Sequence, residues 1–273
     1  MEIGLYRKCS ISPSYFIIVI LKSMNNHYKD IISEKYKKIL FIHGWGFTRQ
    51  ILKDNFDTAC FGQALFIDLY EYMIETNGNL QAAAKNILRE NEDIDLIISW
   101  SLGCFLAKEI EYIIQNDDTK MIYISYNPKF IKDDVWKFGL EFSDVEKLQT
   151  DLKINKVDAL KNFYLLALGN LEEKKYFYKY ITQDMNKILS INQLGFDLGL
   201  EILKKNNLTA TKKNELVKSL YIYGEFDLIT PVSVASFVKG NEPHAFVKII
   251  KESTHIPFLT HPLKFSKILK GFL

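Results

Sequence analysis

The chain has 273 residues, 48% of them hydrophobic and 25% charged, with a formal net charge of +2 from 35 basic and 33 acidic residues. That length is ample for a sizeable core in one large or two small domains. The charge balance gives no reason to expect a nucleic-acid partner across the whole surface, although local basic patches are compatible with it. The cysteines, Cys9, Cys60 and Cys104, are odd in number and widely spaced, with no CxxC pair. This argues against a disulfide framework or a zinc site and fits a reducing compartment.

Residues 1–30 read as an N-terminal extension of uncertain role. Their apolar run, residues 15–21, is far too short to span a bilayer as a helix. Arg7 and Lys8 precede it as in a signal peptide, but Lys22 ends it and no small-residue cleavage site follows. Met24 is a second plausible start. A cytoplasmic protein without a membrane anchor is expected.

From there, short apolar runs rich in Ile, Leu, Phe and Tyr recur at 38–43, 64–69, 95–100, 120–126, 218–223 and 245–251. Most are nearly continuous, as in strands buried on both faces. Residues 80–89 and 102–114 place apolar side chains three or four apart, which predicts helices. Strands alternating with helices imply an α/β protein, with a mostly parallel central sheet flanked by helices. Residues 129–207 contain no convincing strand. There Leu160, Phe163, Tyr164, Ala167 and Leu168 share one helical face. The expected organisation is a core over 31–128 and 208–273, interrupted by a helical lid over 129–207.

Four motifs follow predicted strands, where open α/β sheets bind ligands. After 38–43 come His43-Gly44-Trp45-Gly46, whose glycines let the backbone approach a substrate. The run 95–100 leads directly into Ser101-Leu102-Gly103 and a helix, a nucleophile-elbow arrangement in which Ser99 replaces the usual first glycine. After 218–223, Gly224 is followed by Asp227 in a loop. After 245–251 come Ser253-Thr254-His255-Ile256-Pro257-Phe258, with His261-Pro262 opening the last helix.

Taken singly, each motif has a structural explanation: a helix cap at Ser101, a strand-ending turn at Gly44, an Asx-turn at Asp227, an exposed loop histidine at His255. Together they stand in the order Ser…Asp…His of the α/β-hydrolase fold. Ser101 is therefore the expected nucleophile, His255 the base and Asp227 the residue orienting the base. The backbone N–H groups of Trp45 and Leu102 are the expected oxyanion donors. His43 is expected to be structural. This chemistry calls for no metal and no organic cofactor.

The His-Gly-Trp-Gly and Trp-Ser-Leu-Gly motifs resemble those of the BioH-type pimeloyl-[acyl-carrier protein] methyl ester esterases. So do Gly199-Leu200-Glu201-Ile202-Leu203, Tyr223-Gly224…Asp227 and His255-Ile256-Pro257-Phe258…His261-Pro262…Phe265. The resemblance covers roughly residues 38–272. It implies a monomeric enzyme whose lid meets an acidic carrier protein, with Trp45 and Phe163 beside the acyl chain. It carries two lid arginines of the family onto Lys175 and Lys179, which keeps the charge but loses the bidentate fork. Two further family arginines fall on Asp158 and Asn162, with Lys153, Lys156 and Lys161 near enough to compensate. The family's glycine-rich turn after the second strand is replaced by Asp68-Leu69-Tyr70-Glu71-Tyr72. A general short-chain esterase, a carbon–carbon-bond hydrolase of the same fold and a catalytically silent binding protein are the other readings.

Overall fold

The computed structural model describes residue 32 and residues 36–56, 63–114, 118–183, 185–210, 216–242 and 244–273. The expected N-terminal extension lies outside the described residues, as do Cys9 and Cys60.

Six strands form one sheet: β1 (Lys38–Ile42), β2 (Gln63–Ile67), β3 (Leu96–Trp100), β4 (Lys120–Ile124), β5 (Ser219–Gly224) and β6 (Ala245–Ile250). Their order is β2-β1-β3-β4-β5-β6, and every described pairing is parallel. The central strands β3 and β5 are buried throughout, which explains their nearly continuous apolar sequences. The edge strand β6 exposes Phe246 (53%) and Ile249 (49%), so its apolar run overstates its burial.

The sheet is flanked by helices. In the first half they are α1 (Gln50–Phe56), α2 (Leu69–Glu75), α3 (Leu80–Glu90) and α4 (Gly103–Ile113). Helix α3 is capped by Asn79, whose side chain accepts from the Ala82 N–H, and it buries Leu80, Ala83, Ala84 and Ile87 on one face. The run expected to stay extended to residue 69 ends at Ile67. Asp68 caps α2 there, accepting from the Tyr70 N–H, and the chain turns helical one residue later.

Between β4 and β5 the described residues hold five helices and no strand: α5 (Phe142–Ile154), α6 (Lys156–Ala167), α7 (Lys174–Ile181), α8 (Met185–Leu189) and α9 (Gln193–Lys205). A single antiparallel bridge, Lys129 to Asn207, brings the two ends of this helical segment together. Three helices complete the chain: α10 (Val234–Asn241), α11 (Pro257–Thr260) and α12 (Pro262–Phe272).

Helix α4 is tied to the sheet by a largely buried cation. Lys108 Nζ donates to Glu111 (2.7 Å), the Tyr221 hydroxyl (2.6 Å) and Glu242 (3.3 Å), and it lies 4.6 Å from the Tyr123 ring centroid. Burial alone would favour the neutral amine, but the neighbouring carboxylates outweigh it and raise the Lys108 pKa.

Candidate active site

The sheet delivers Ser101 on a forced turn. β3 ends at Trp100, and Ser101 takes φ +53°, a left-handed conformation that costs a non-glycine residue roughly 1–2 kcal/mol. Neighbouring contacts hold it there. The Ser101 N–H donates to the Ile124 carbonyl on β4 (2.9 Å), and the Cys104 N–H donates to the Ser101 carbonyl as α4 begins. A Cβ at Gly103 would lie 2.6 Å from the His43 carbonyl oxygen and 2.7 Å from that of Ile42, so this position excludes any side chain. Ser99 is accommodated where a glycine is usual because its hydroxyl is bonded, donating to the Ile122 carbonyl at 3.2 Å.

His255 and Asp227 converge on Ser101 from the loops after β6 and β5. His255 Nε2 lies 2.8 Å from Ser101 Oγ, and His255 Nδ1 lies 2.8 Å from Asp227 Oδ2. The other oxygen of Asp227 accepts from the N–H groups of Ile229 and Thr230, each at 2.8 Å. Both side chains are essentially buried. An ionised carboxylate with its second oxygen satisfied in this way keeps Nδ1 protonated, which leaves Nε2 free to accept the serine proton.

The backbone of His255 is also fixed. Its carbonyl accepts from Trp100 Nε1 (2.8 Å) and from the Ser125 hydroxyl (3.2 Å), and its N–H donates to Ala167 on α6 (3.2 Å). Ser125, itself at φ +51°, carried no sequence signal, because its role arises from a loop meeting a distant strand.

The His-Gly-Trp-Gly loop passes beside the serine. A Cβ on Gly44 would lie 3.0 Å from the Ser101 Cβ. His43 is fully buried and, as expected, structural. Its Nε2 accepts from the Leu69 N–H at 3.0 Å, so Nδ1 carries the proton and donates to the Gly44 carbonyl at 2.9 Å. In a planar trans peptide the C=O and N–H point opposite ways. Anchoring the Gly44 carbonyl on one side therefore directs the Trp45 N–H to the other. Among the described residues neither the Trp45 nor the Leu102 N–H meets a protein acceptor.

The remaining expected contacts divide. The Trp45 indole is buried, donates to the Phe196 carbonyl (3.1 Å) and meets Phe163 edge-on at 4.8 Å. Phe163 is half-buried and packs over this loop, close enough that a Cβ on Gly46 would lie 2.8 Å from its ring. Lys175 and Lys179 are exposed on α7. Of the lysines near the missing arginines, Lys156 is engaged within the chain. Its ammonium donates to the Leu189 and Ile191 carbonyls and covers the Phe196 ring, and desolvation lowers its pKa. Lys161 faces Asp158 at 3.8 Å.

Among the described residues no group of three or more His, Cys, Asp or Glu side chains is placed to hold a metal ion. None of their helices is long and apolar enough to cross a membrane.

No protein-family model matches the chain. Solved structures do. An esterase from Exiguobacterium antarcticum superposes with a TM-score of 0.70 over 86% of this chain and 91% of its own, at 16% identity. A hydrolase from Oleispira antarctica gives 0.71 over 88% and 92%, at 14% identity. The fold is that of the α/β-hydrolases. Within that fold, the sequence is similar to a pimeloyl-[acyl-carrier protein] methyl ester esterase of Wigglesworthia glossinidia brevipalpis, 26% identical over 259 residues, 89% of this chain and 96% of the relative. A protein of the same name from Legionella pneumophila (strain Paris) is 24% identical over 242 residues, 86% of this chain and 94% of the relative. The chain keeps its four sequence motifs at the carboxyl ends of β1, β3, β5 and β6, around one serine.

Proposed function

We propose that the chain is a serine carboxylesterase that hydrolyses the methyl ester of pimeloyl-[acyl-carrier protein] in the synthesis of the biotin precursor. The hydrogen-bonded run Ser101–His255–Asp227 carries the esterase reading. The similarity to two methyl ester esterases of that name over nearly their whole length supports the substrate.

The steps follow from the geometry. His255 Nε2 takes the Ser101 proton as Oγ attacks the ester carbonyl carbon. The carbonyl oxygen becomes an oxyanion facing the N–H groups of Trp45 and Leu102. One such donor is worth about 10²–10³ in rate. Collapse of the tetrahedral intermediate breaks the bond to the methoxy oxygen, which leaves as methanol with the proton from His255. Water, deprotonated by His255, then attacks the acyl-enzyme, and a second collapse returns the proton to Ser101 and releases the free acid. Asp227 holds the imidazole in the required tautomer and balances the imidazolium. The reaction needs neither a metal nor an organic cofactor.

Residues 129–207 form the lid between the two core portions, 31–128 and 208–273. Phe163, over Trp45, borders the acyl chain, and Lys175 and Lys179 present positive charge to an acidic carrier protein. The enzyme acts as a monomer in the cytoplasm, with no nucleic-acid or membrane partner.

The test is demethylation of methyl pimeloyl-carrier protein by the purified chain, followed by mass spectrometry. Loss of the methyl group, abolished in Ser101→Ala, is the expected result. Cleavage of 4-nitrophenyl butyrate with the carrier-protein ester untouched would replace this substrate with a simple short-chain ester.

A further inference from the structure

The segment Asp68–Tyr72 departs from the glycine-rich turn of the proteins the chain resembles, and its Tyr70 reaches the loop beside the serine. The Tyr70 hydroxyl accepts from the Gly46 N–H at 2.7 Å. The carbonyl of the same residue accepts from the Tyr164 hydroxyl, also at 2.7 Å. Both rings are buried, Tyr70 at 2% and Tyr164 at 0% exposure. Burial of both phenols raises their pKa, so each hydroxyl stays protonated. Gly46 itself has φ +77°, a conformation its local sequence does not enforce once glycine is present.

The three successive peptide units between Gly44 and Phe47 are thus each held by a ring. His43 holds the Gly44–Trp45 unit by its carbonyl, Tyr70 the Trp45–Gly46 unit by its N–H, and Tyr164 the Gly46–Phe47 unit by its carbonyl. Tyr70 belongs to the core helix α2 and Tyr164 to α6 of the helical segment. Resting on the esterase reading above, we infer that Tyr70 and Tyr164 are positioning residues for the oxyanion donor Trp45 N–H, clamping Gly46 from both sides. They touch no reacting atom. Without them only the His43 contact to the Gly44 carbonyl holds this stretch of backbone, and the Trp45 N–H is less tightly aimed at the developing oxyanion.

This inference predicts a loss specific to the transition state. Tyr70→Phe and Tyr164→Phe keep the rings and remove only the hydroxyls. With 4-nitrophenyl butyrate, each lowers kcat by about tenfold or more while KM changes less than about twofold, as expected when a donor is misaligned rather than a binding surface lost. The affinity for phenylboronic acid, whose serine adduct places an oxygen at the donors, falls in parallel. The double variant loses less than the product of the two single losses, because both act on one peptide segment. Thermal melting below which all assays are run separates unfolding from misalignment. If one single variant fails to fold, the other carries the same kcat and boronate prediction. Unchanged kcat and boronate affinity in the folded variants, or a loss confined to KM, would overturn the inference while leaving the esterase intact. A wild-type chain that neither hydrolyses the ester nor binds the boronate removes the esterase reading, and this inference with it.

Discussion

Asp227 uses its two carboxylate oxygens for different tasks: Oδ2 meets His255 Nδ1 at 2.8 Å, while Oδ1 accepts the N–H groups of Ile229 and Thr230. The first sets the imidazole tautomer and the second sets the carboxylate. In Asp227→Asn the carbonyl oxygen keeps the two backbone donors, so the amide nitrogen faces His255 and donates to Nδ1. The ring proton then sits on Nε2, facing Ser101, where it cannot accept. The expected loss in kcat is roughly 10³–10⁴-fold with little change in melting temperature. Ester hydrolysis and calorimetry on the same preparation check both halves.

Gly103→Ala tests the packing of the elbow. The new Cβ would sit 2.6–2.7 Å from two carbonyl oxygens of the β1 strand end, backbone atoms that cannot swing aside. Overpacking of this kind costs about 1–3 kcal/mol. Urea denaturation should show that loss, with activity reduced because α4 and the Leu102 N–H shift together.

Lys108→Met tests the anchor of α4. The variant keeps an unbranched side chain one atom shorter but removes the cation from between Glu111 and Glu242, whose side chains are 6% and 9% exposed. Breaking a buried ion network by removing one partner costs about 3–5 kcal/mol. A urea midpoint shifted by less than the equivalent of about 1 kcal/mol would show that the cluster contributes little.

His261 predicts a direction for stability against pH. Burial, reinforced by Lys264, lowers its pKa to about 4 from the ordinary 6.5. Between those values the unfolded chain binds a proton that the folded chain does not, so stability falls as pH drops from about 6.5 to about 4. His261→Gln removes that component. Urea midpoints measured across this range should slope less steeply in the variant than in the wild type.

The sequence made legible what is local or repeated. Continuous apolar runs marked the strands, and Ser101, Asp227 and His255 each followed one in the expected order. What it could not show depends on which distant segments meet. Ser125 supports His255 across the sheet, and Lys108 sits on a helix whose sequence gives no sign that its polar face is buried. The Lys156 ammonium meets carbonyls of a neighbouring turn that its own stretch of sequence does not reveal. Tyr70 left one trace, the replacement of a glycine-rich turn, but its contact with Gly46 exists only once α2 lies against the loop. The strand expected to reach residue 69 ended early because a capping aspartate outweighed an apolar run.

The central claim is that Ser101 is an activated nucleophile, and covalent trapping tests it most directly. The purified chain is treated with a fluorophosphonate and its peptides are mapped by mass spectrometry. The account predicts one adduct, on Ser101, absent in Ser101→Ala and slowed in His255→Ala. An unmodified Ser101 in folded protein, or an adduct on another residue, would contradict it.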